Sequence, residues 1–288
     1  MPENFSSEEI KKLWPNDAPP ISNIKKYVEK YKDDTIVIKY GGNVLIDREV
    51  FNNFILDIQI LNRLGLSIVV VHGGGPRIKR ELEKSNIESK FINGLRVTNQ
   101  KIINIVEKVL IELNKDIVES LNNKNSEATQ INSKKSNVIN VVSESKELGF
   151  VGIPKRINTE IIKDLIRNNK IPVVAPLGLD EKNQVYNING DTAAGAIAKS
   201  LKSRRLLLMT NVEGVLDKEK KLITEISSVK TLELIKDQTI SGGMIPKINT
   251  CLDAVNNGVK GVVIMDGRKP HSILNEIFSD LGAGTLIR

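Results

Sequence analysis

A chain of 288 residues, 40% of them hydrophobic, can bury one large α/β domain or two lobes sharing a sheet. Its single cysteine, Cys251, excludes an internal disulfide and a multi-cysteine metal site, and its two histidines, His72 and His271, exclude a histidine-rich metal centre. The formal net charge of +7 would suit nucleic acid, but basic and acidic residues are interleaved throughout and aromatics make up only 4%; the expectation is a lysine-rich surface, with a few cations kept for a small anionic ligand.

No apolar run approaches membrane-spanning length, and the first ten residues carry neither an apolar signal core nor a transit-peptide pattern. The expected location is the cytoplasm, or the plastid stroma if the chain is encoded there. Residues 1–22 are polar and hold Pro2, Pro15, Pro19 and Pro20, which predicts loose order. Ile21, Ile24, Tyr27, Val28 and Tyr31 then recur at helical spacing, in a short helix that packs on its own subunit or docks on a neighbour.

Residues 35–40 read as a first strand, ending at Gly41-Gly42-Asn43. Residues 49–64 are helical by the spacing of Val50, Phe51, Phe54, Ile55, Ile58 and Leu61, with Gly65 as the stop. A strand over 67–72 runs into Gly73-Gly74-Gly75, and a helix follows near 77–84. Strand, helix, strand, helix in that order predicts a parallel sheet with flanking helices.

Asn93-Gly94 between short β-like runs predicts a hairpin over 91–98. Residues 99–121 form a long helix with Ile102, Val106, Val109, Leu113, Ile117 and Leu121 on one face, buried within the subunit or used as a subunit contact. Residues 122–137, rich in Asn, Ser and Lys, read as a surface excursion. Strands are expected over 138–142 and 171–175 with a helix over 159–168 between them, and an edge or hairpin segment over 183–189. A small-residue helix over 191–201 suits close packing, and 205–210 and 261–266 are buried strands, the second the last internal one.

Several strands end in polar or glycine-rich residues: Lys39 with Gly41-Gly42, Gly73–Gly75, Thr210-Asn211 and Asp266-Gly267. In a parallel α/β sheet the carboxyl ends of strands face the ligand crevice, so these lie on one rim. Three glycines before a helix start at Pro76 can present backbone N–H groups to an anion, or can be a sharp turn without a ligand. Lys39 sits inside a strand, opposite in alternation to Ile36 and Ile38, and so needs a polar partner. His72 reads as a strand-end histidine fixing the loop. Asp191 could be an N-cap, and Asn187 and Asn189 turn residues. The P-loop, the third glycine of a dinucleotide fingerprint and the protein-kinase motifs are all absent.

Five spaced motifs carry a resemblance: Ile38-Lys39-Tyr40-Gly41-Gly42, Val71-His72-Gly73-Gly74-Gly75, Asn93-Gly94-Leu95-Arg96-Val97-Thr98, Asn187-Ile188-Asn189-Gly190-Asp191 and Gly243-Met244-Ile245-Pro246-Lys247. Together they resemble the amino acid kinase family, and within it the N-acetyl-L-glutamate kinases, over about residues 21–288. The resemblance implies a three-layer αβα sandwich around a mainly parallel sheet. It implies an N-terminal extension over 1–34, an acetylglutamate-binding lobe over 35–186 that also makes dimer contacts, and an ATP-binding lobe over 187–288.

It further implies transfer of the ATP γ-phosphoryl group to the side-chain carboxylate of N-acetyl-L-glutamate, in arginine biosynthesis. An ionised carboxylate needs no general base, so catalysis rests on positioning and on cations around a loose transition state. By resemblance Lys39 neutralises the transferring group, Lys247 acts from the nucleotide side and Asp191 orients both lysines. Gly41, Gly42 and Gly74 donate N–H groups along the phosphoryl path. Gly74, Gly75, Arg96 and Asn187 hold the acetylglutamate, with Arg96 on its α-carboxylate. Thr210, Asn211 and Gly214 line the nucleotide, and Mg²⁺ rides on its phosphates rather than in a protein metal site.

Two departures stand out: Asn211 replaces a usual Asp, which bears on the nucleotide contacts, and Gly190 replaces a usual Ala. Neither is expected to touch the lysines. The N-terminal helix and the C-terminal segment carrying His271, Glu276 and Gly282 resemble the arginine-inhibited branch. That implies L-arginine as a feedback inhibitor, a homo-oligomer (a hexamer built as a trimer of dimers) and, in some relatives, the PII signalling protein as partner; neither nucleic acid nor membrane is expected as one. The alternatives are a sister kinase acting on another carboxylate, carbamate or a nucleoside monophosphate, or a catalytically silent amino-acid sensor.

Overall fold

Alternation along two N-terminal strands sets the layers of the fold. The structure is a computed structural model that describes residues 7–41 and 47–288. After helices α1 (Ser7–Leu13) and α2 (Ile24–Tyr31) come β1 (Thr35–Tyr40), α3 (Arg48–Arg63), β2 (Ser67–His72) and α4 (Gly75–Lys84). The hairpin β3 (Phe91–Ile92) and β4 (Leu95–Arg96) leads into α5 (Gln100–Asn122) and β5 (Ala128–Ile131). Then follow β6 (Ile139–Ser143), β7 (Gly152–Ile157), α6 (Thr159–Arg167), β8 (Ile171–Val174), β9 (Leu177–Leu179) and β10 (Val185–Asn187). The remainder is α7 (Gly190–Ser200), β11 (Arg205–Thr210), β12 (Glu225–Ile226), α8 (Ser228–Lys236), α9 (Met244–Asn256), β13 (Val262–Asp266), α10 (Ser272–Phe278) and β14 (Gly284–Ile287).

Eight strands form the central sheet in the order β12-β14-β13-β11-β1-β2-β8-β5, parallel except where β14 runs antiparallel to β13. Ile36, Ile38 and Tyr40 of β1 pack with Phe54 and Ile58 of α3 and with Tyr27 and Phe278 on one face. Val37 points to the other face, with Ala193, Ala194 and Ile197 of α7 and Ile248 and Cys251 of α9. Helices therefore cover both sides of the sheet, as expected for the three-layer sandwich. Lys39 shares the parity of Val37, which directs it to the α7 face.

The chain turns back at β1: β2 lies on one side of it and β11 on the other. Crevices open at such a switch point, beyond the carboxyl ends of the strands. A second sheet, β10-β9-β6-β7, and the β3–β4 hairpin stand beside that crevice. Asn93 and Gly94 both have positive φ, 49° and 79°, the conformation that lets a two-residue turn match the strand twist.

Some expectations change. Part of the segment expected to be loose is helical: α1 buries Ile10, and Trp14 packs on Phe278 while donating Nε1–H to the Pro19 carbonyl at 2.8 Å. The expected surface excursion over 122–137 contains β5, which pairs with β8 at the edge of the central sheet and buries Ile131. The strand at 138–142 belongs to the second sheet, and β13 is followed by an antiparallel β14. Gly42 and Asn43 lie outside the described residues.

Candidate active site

Three elements bring charge to the crevice. Lys39 comes from the last turn of the β1 pleat, Asp191 from the first turn of α7 and Lys247 from the first turn of α9. Lys39 Nζ lies 2.9 Å from Asp191 Oδ1, and Lys247 Nζ donates to Asp191 Oδ2. The α7 cap is Asn189, whose Oδ1 accepts from Asp191 N at 2.9 Å and Thr192 N at 3.2 Å. Asp191 is thus not the cap, and its carboxylate is left for the lysines. Burial alone would raise the Asp191 pKa, but the charges of Lys39 and Lys247 and their hydrogen bonds outweigh it and hold the carboxyl well below its usual range.

Two cavities meet at this carboxylate. One, of about 190 Å³, is lined by Lys39, Gly73–Gly75, Arg96, Asn187 and Asp191 among others. The other, of about 760 Å³, is lined by Glu144, Asp191, Thr192, Gly243, Lys247 and Thr250 among others. Asp191 and Asn189 border both, as do Gly94 and Leu95 of the hairpin. Lys39 borders the smaller and Lys247 the larger.

In the smaller cavity Gly75 has open space beside its Cα, whereas a Cβ on Gly74 would collide with Leu110 of α5. Pro76 follows Gly75 in the first turn of α4, where N–H groups have no acceptor within the helix. Arg96 is 8% exposed, stacks 4.7 Å from the Phe91 ring and donates from Nη1 to Ser89 Oγ; burial lowers its pKa. Asn187 Nδ2 donates to Thr98 Oγ1 at 3.4 Å. His72 is fully buried beneath the loop, with Nδ1 2.8 Å from the Gly73 carbonyl and Nε2 3.1 Å from Asn114 Nδ2.

Gly41 backs onto the Lys39 ammonium. Thr210 and Asn211 lie at the end of β11 beside Asp266, with Thr210 Oγ1 bonded to Asn211 Oδ1 at 3.4 Å. Gly214 is wedged against Thr285 and Leu222. Contrary to expectation, Gly190 does bear on a lysine, since a Cβ there would stand 3.2 Å from Lys39 Cε.

Away from the crevice, Glu276 and Gly282 border a cavity of about 240 Å³ with Lys30, Tyr31 and Arg205. Burial raises the Glu276 pKa, and a hydrogen bond from Ala283 N at 2.9 Å and the charges of Arg205 and Lys30 oppose it. His271 instead directs Nδ1 to Asp57 Oδ1 of α3, 2.6 Å away.

Ser89, Leu110, Asn114 and the capping role of Asn189 were not expected from the sequence. Asn114 had a signal, a polar residue one position from Leu113 in an apolar helical stripe, and Asn189 had another, an N-cap side chain just before a small-residue helix.

A sequence model of the amino acid kinase family matches residues 34–266. An acetylglutamate kinase of Pelagibacter ubique (strain HTCC1062) is 57% identical over 99% of this chain and 99% of its own. One from Rhodospirillum centenum (strain ATCC 51521 / SW) is 45% identical over 95% and 94%. Among solved structures, an N-acetylglutamate synthase from Neisseria gonorrhoeae superimposes with a TM-score of 0.83 at 20% identity; the match takes in 93% of this chain but only 63% of that longer one. A carbamate kinase from Giardia lamblia gives 0.64 at 19%, over 88% and 98%. The matched family sequence, the near full-length relatives and the shared fold agree: the chain belongs to the amino acid kinase family, in its acetylglutamate kinase branch.

Proposed function

We propose that the chain phosphorylates the side-chain carboxylate of N-acetyl-L-glutamate with ATP, giving an acyl phosphate and ADP, as a step of arginine biosynthesis. The observation that carries this reading is Asp191, which binds Lys39 in one cavity and Lys247 in the other. The smaller cavity takes the acceptor: Arg96 leaves Ser89 to pair with the α-carboxylate, Asn187 adds an amide, and the loop offers the N–H groups of Gly74 and Gly75. The larger cavity takes the triphosphate. A carboxylate oxygen forms the new bond to the γ-phosphorus as the bond to the β–γ bridging oxygen breaks, and ADP departs with that electron pair.

The barrier is repulsion between two anions. Lys39 and Lys247 offset it from opposite sides, held apart and aimed by one carboxylate. No proton has to move. Among the described residues no group of three or more His, Cys, Asp or Glu side chains is placed to hold a metal. This donor set suits Mg²⁺ carried on the nucleotide phosphates, where it would neutralise part of their charge. We assign residues 35–186 chiefly to the acceptor and 187–288 chiefly to the nucleotide, with Asn187 reaching across to the acceptor cavity and Gly41, Thr210, Asn211 and Gly214 on the phosphoryl and nucleotide side.

The cavity holding Glu276 supports L-arginine as feedback inhibitor: Glu276 offers a buried carboxylate to a guanidinium, and Lys30 and Arg205 face a ligand carboxylate. His271 contributes indirectly, through α10. The apolar face of α2, Ile24, Tyr27, Val28 and Tyr31, is buried in the subunit's own core; the homo-oligomer, a hexamer built from dimers, is proposed from the family likeness. No described helix is long and apolar enough to cross a membrane.

The test is ADP release with N-acetyl-L-glutamate, glutamate, aspartate, carbamate and a nucleoside monophosphate, each with and without arginine. Turnover confined to N-acetyl-L-glutamate is expected; its absence there overturns the reading.

A further inference from the structure

We propose that His72 is a positioning residue: as the neutral Nδ1–H tautomer, braced by Asn114 and Asn132, it sets the Gly73–Gly74 peptide so that the Gly74 N–H faces the acceptor cavity. This rests on the smaller cavity being the acceptor site.

The tautomer follows from the bonds around the ring. Asn114 sits mid-way along α5, fully buried, and its Oδ1 accepts from Asn132 Nδ2 at 3.3 Å. Its amide nitrogen is therefore on the other side, where it donates to the Val173 carbonyl at 2.9 Å and to His72 Nε2 at 3.1 Å. Nε2 can only accept there. The proton must lie on Nδ1, which donates to the Gly73 carbonyl at 2.8 Å. A carbonyl can only accept, so the two ends of the ring agree. Asn132 is itself fixed, since its Oδ1 accepts from Lys134 N and Lys135 N, each at 3.0 Å.

The consequence for the loop comes from peptide geometry. In a trans peptide the C=O and N–H point in opposite directions. Turning the Gly73 carbonyl onto the buried ring turns the Gly74 N–H away from it, toward the side where Gly73–Gly75 line the cavity. Two further contacts remove the remaining freedom. Gly73 N donates to the Tyr40 carbonyl at 2.7 Å, and Leu110, one turn before Asn114 on α5, fills the space beside Gly74. A triple-glycine loop would otherwise sample many conformations, and each alternative would cost acceptor affinity.

Three variants test this. His72→Asn keeps an amide donor close to the Nδ1 position, His72→Leu keeps the bulk without it, and Asn114→Leu removes the donor to Nε2. With wild type turning over N-acetyl-L-glutamate, His72→Leu should raise the acceptor KM about tenfold and leave the ATP KM within about twofold. His72→Asn should recover most of that loss. Imidazole ¹⁵N NMR of the wild-type protein should show the neutral Nδ1–H form from about pH 5 to about pH 8, and Asn114→Leu should yield a mixture of tautomers. The proposal is overturned by an Nε2–H tautomer in wild type, or by His72→Asn and His72→Leu raising both KM values equally. The NMR result needs no substrate, and failure of wild type on N-acetyl-L-glutamate strikes the acceptor assignment instead.

Discussion

Lys39 Nζ and Asp191 Oδ1 stand 2.9 Å apart across the boundary between β1 and α7, with neither side chain more than 15% exposed. The pair joins the third element of the chain to a helix some 150 residues later. Because Lys247 binds the other oxygen, removing Asp191 leaves two unpaired ammonium groups facing each other. Asp191→Asn should lower kcat on the order of 100-fold. It should also destabilise the fold by about 3 kcal/mol, as breaking a buried charge pair does. Steady-state kinetics and urea melts check both. A variant with wild-type kcat would remove Asp191 from the mechanism.

His72 makes stability depend on pH in a definite direction. Burial pushes its pKa down to about 4 against an ordinary value of 6.5, with the Gly73 carbonyl opposing and Arg77 assisting. Between those values the unfolded chain holds a proton that the folded chain does not, so stability is complete above about pH 6.5 and falls as pH drops toward about 4. The loss is on the order of 3 kcal/mol. In His72→Gln this component vanishes, so urea midpoints of wild type and variant should converge on acidification. Parallel curves would contradict the assignment.

Gly190 opens α7 next to the lysine. A Cβ there meets only the flexible Lys39 Cε closer than 3.4 Å, with Gly73 Cα and the His72 carbonyl oxygen each at 3.7 Å. Gly190→Ala should add about 0.5–1 kcal/mol by restricting the unfolded chain. Lys39 must shift by a few tenths of an ångström, and kcat should fall no more than about threefold. Paired melting and kinetic measurements separate the gain from the loss.

Gly214 behaves oppositely. Its φ is 151°, and a Cβ would collide with Thr285 and approach Leu222 Cδ1 to 2.7 Å. The Thr285 hydroxyl there donates to the Ile223 carbonyl at 2.6 Å and accepts from Val215 N at 2.8 Å. Gly214→Ala should cost about 2–3 kcal/mol and weaken ATP binding as the neighbouring segment shifts. An unchanged melting temperature would refute it.

At the other cavity, Glu276→Ala should raise the arginine concentration for half-inhibition at least about tenfold, with kcat unaltered in the absence of arginine. Equal inhibition of variant and wild type would exclude Glu276 from an arginine site.

The parallel strands β1, β2, β8, β11 and β13 were readable, because strands buried on both faces appear as continuous apolar runs, whereas their order in the sheet, and with it the switch point at β1, follows only from the pairing. β5, with Thr129 and Gln130 at the edge of the sheet, lacks such a run, and β12 and β14 are short; pairing with distant strands decides all three. Lys39 announced its need for a partner by sitting in a buried strand, and Asp191 meets that need. Asp191 was the expected cap and Asn189 a turn residue, whereas Asn189 is the cap: both side chains suit that position and only the backbone fixes where α7 begins. Arg96 was legible, but Ser89 was not: an arginine side chain reaches far enough that its partner leaves no sequence spacing.

Cys251 lies one turn beyond Lys247 on α9, fully buried, its thiol pKa raised by burial. It is also the sole cysteine of the chain. A thiol-reactive dye therefore has one target and meets it only when α9 lifts from the sheet. The labelling rate becomes a clock for the opening of the helix that carries Lys247, read without any mutation, and a nucleotide that seats on that helix should slow it.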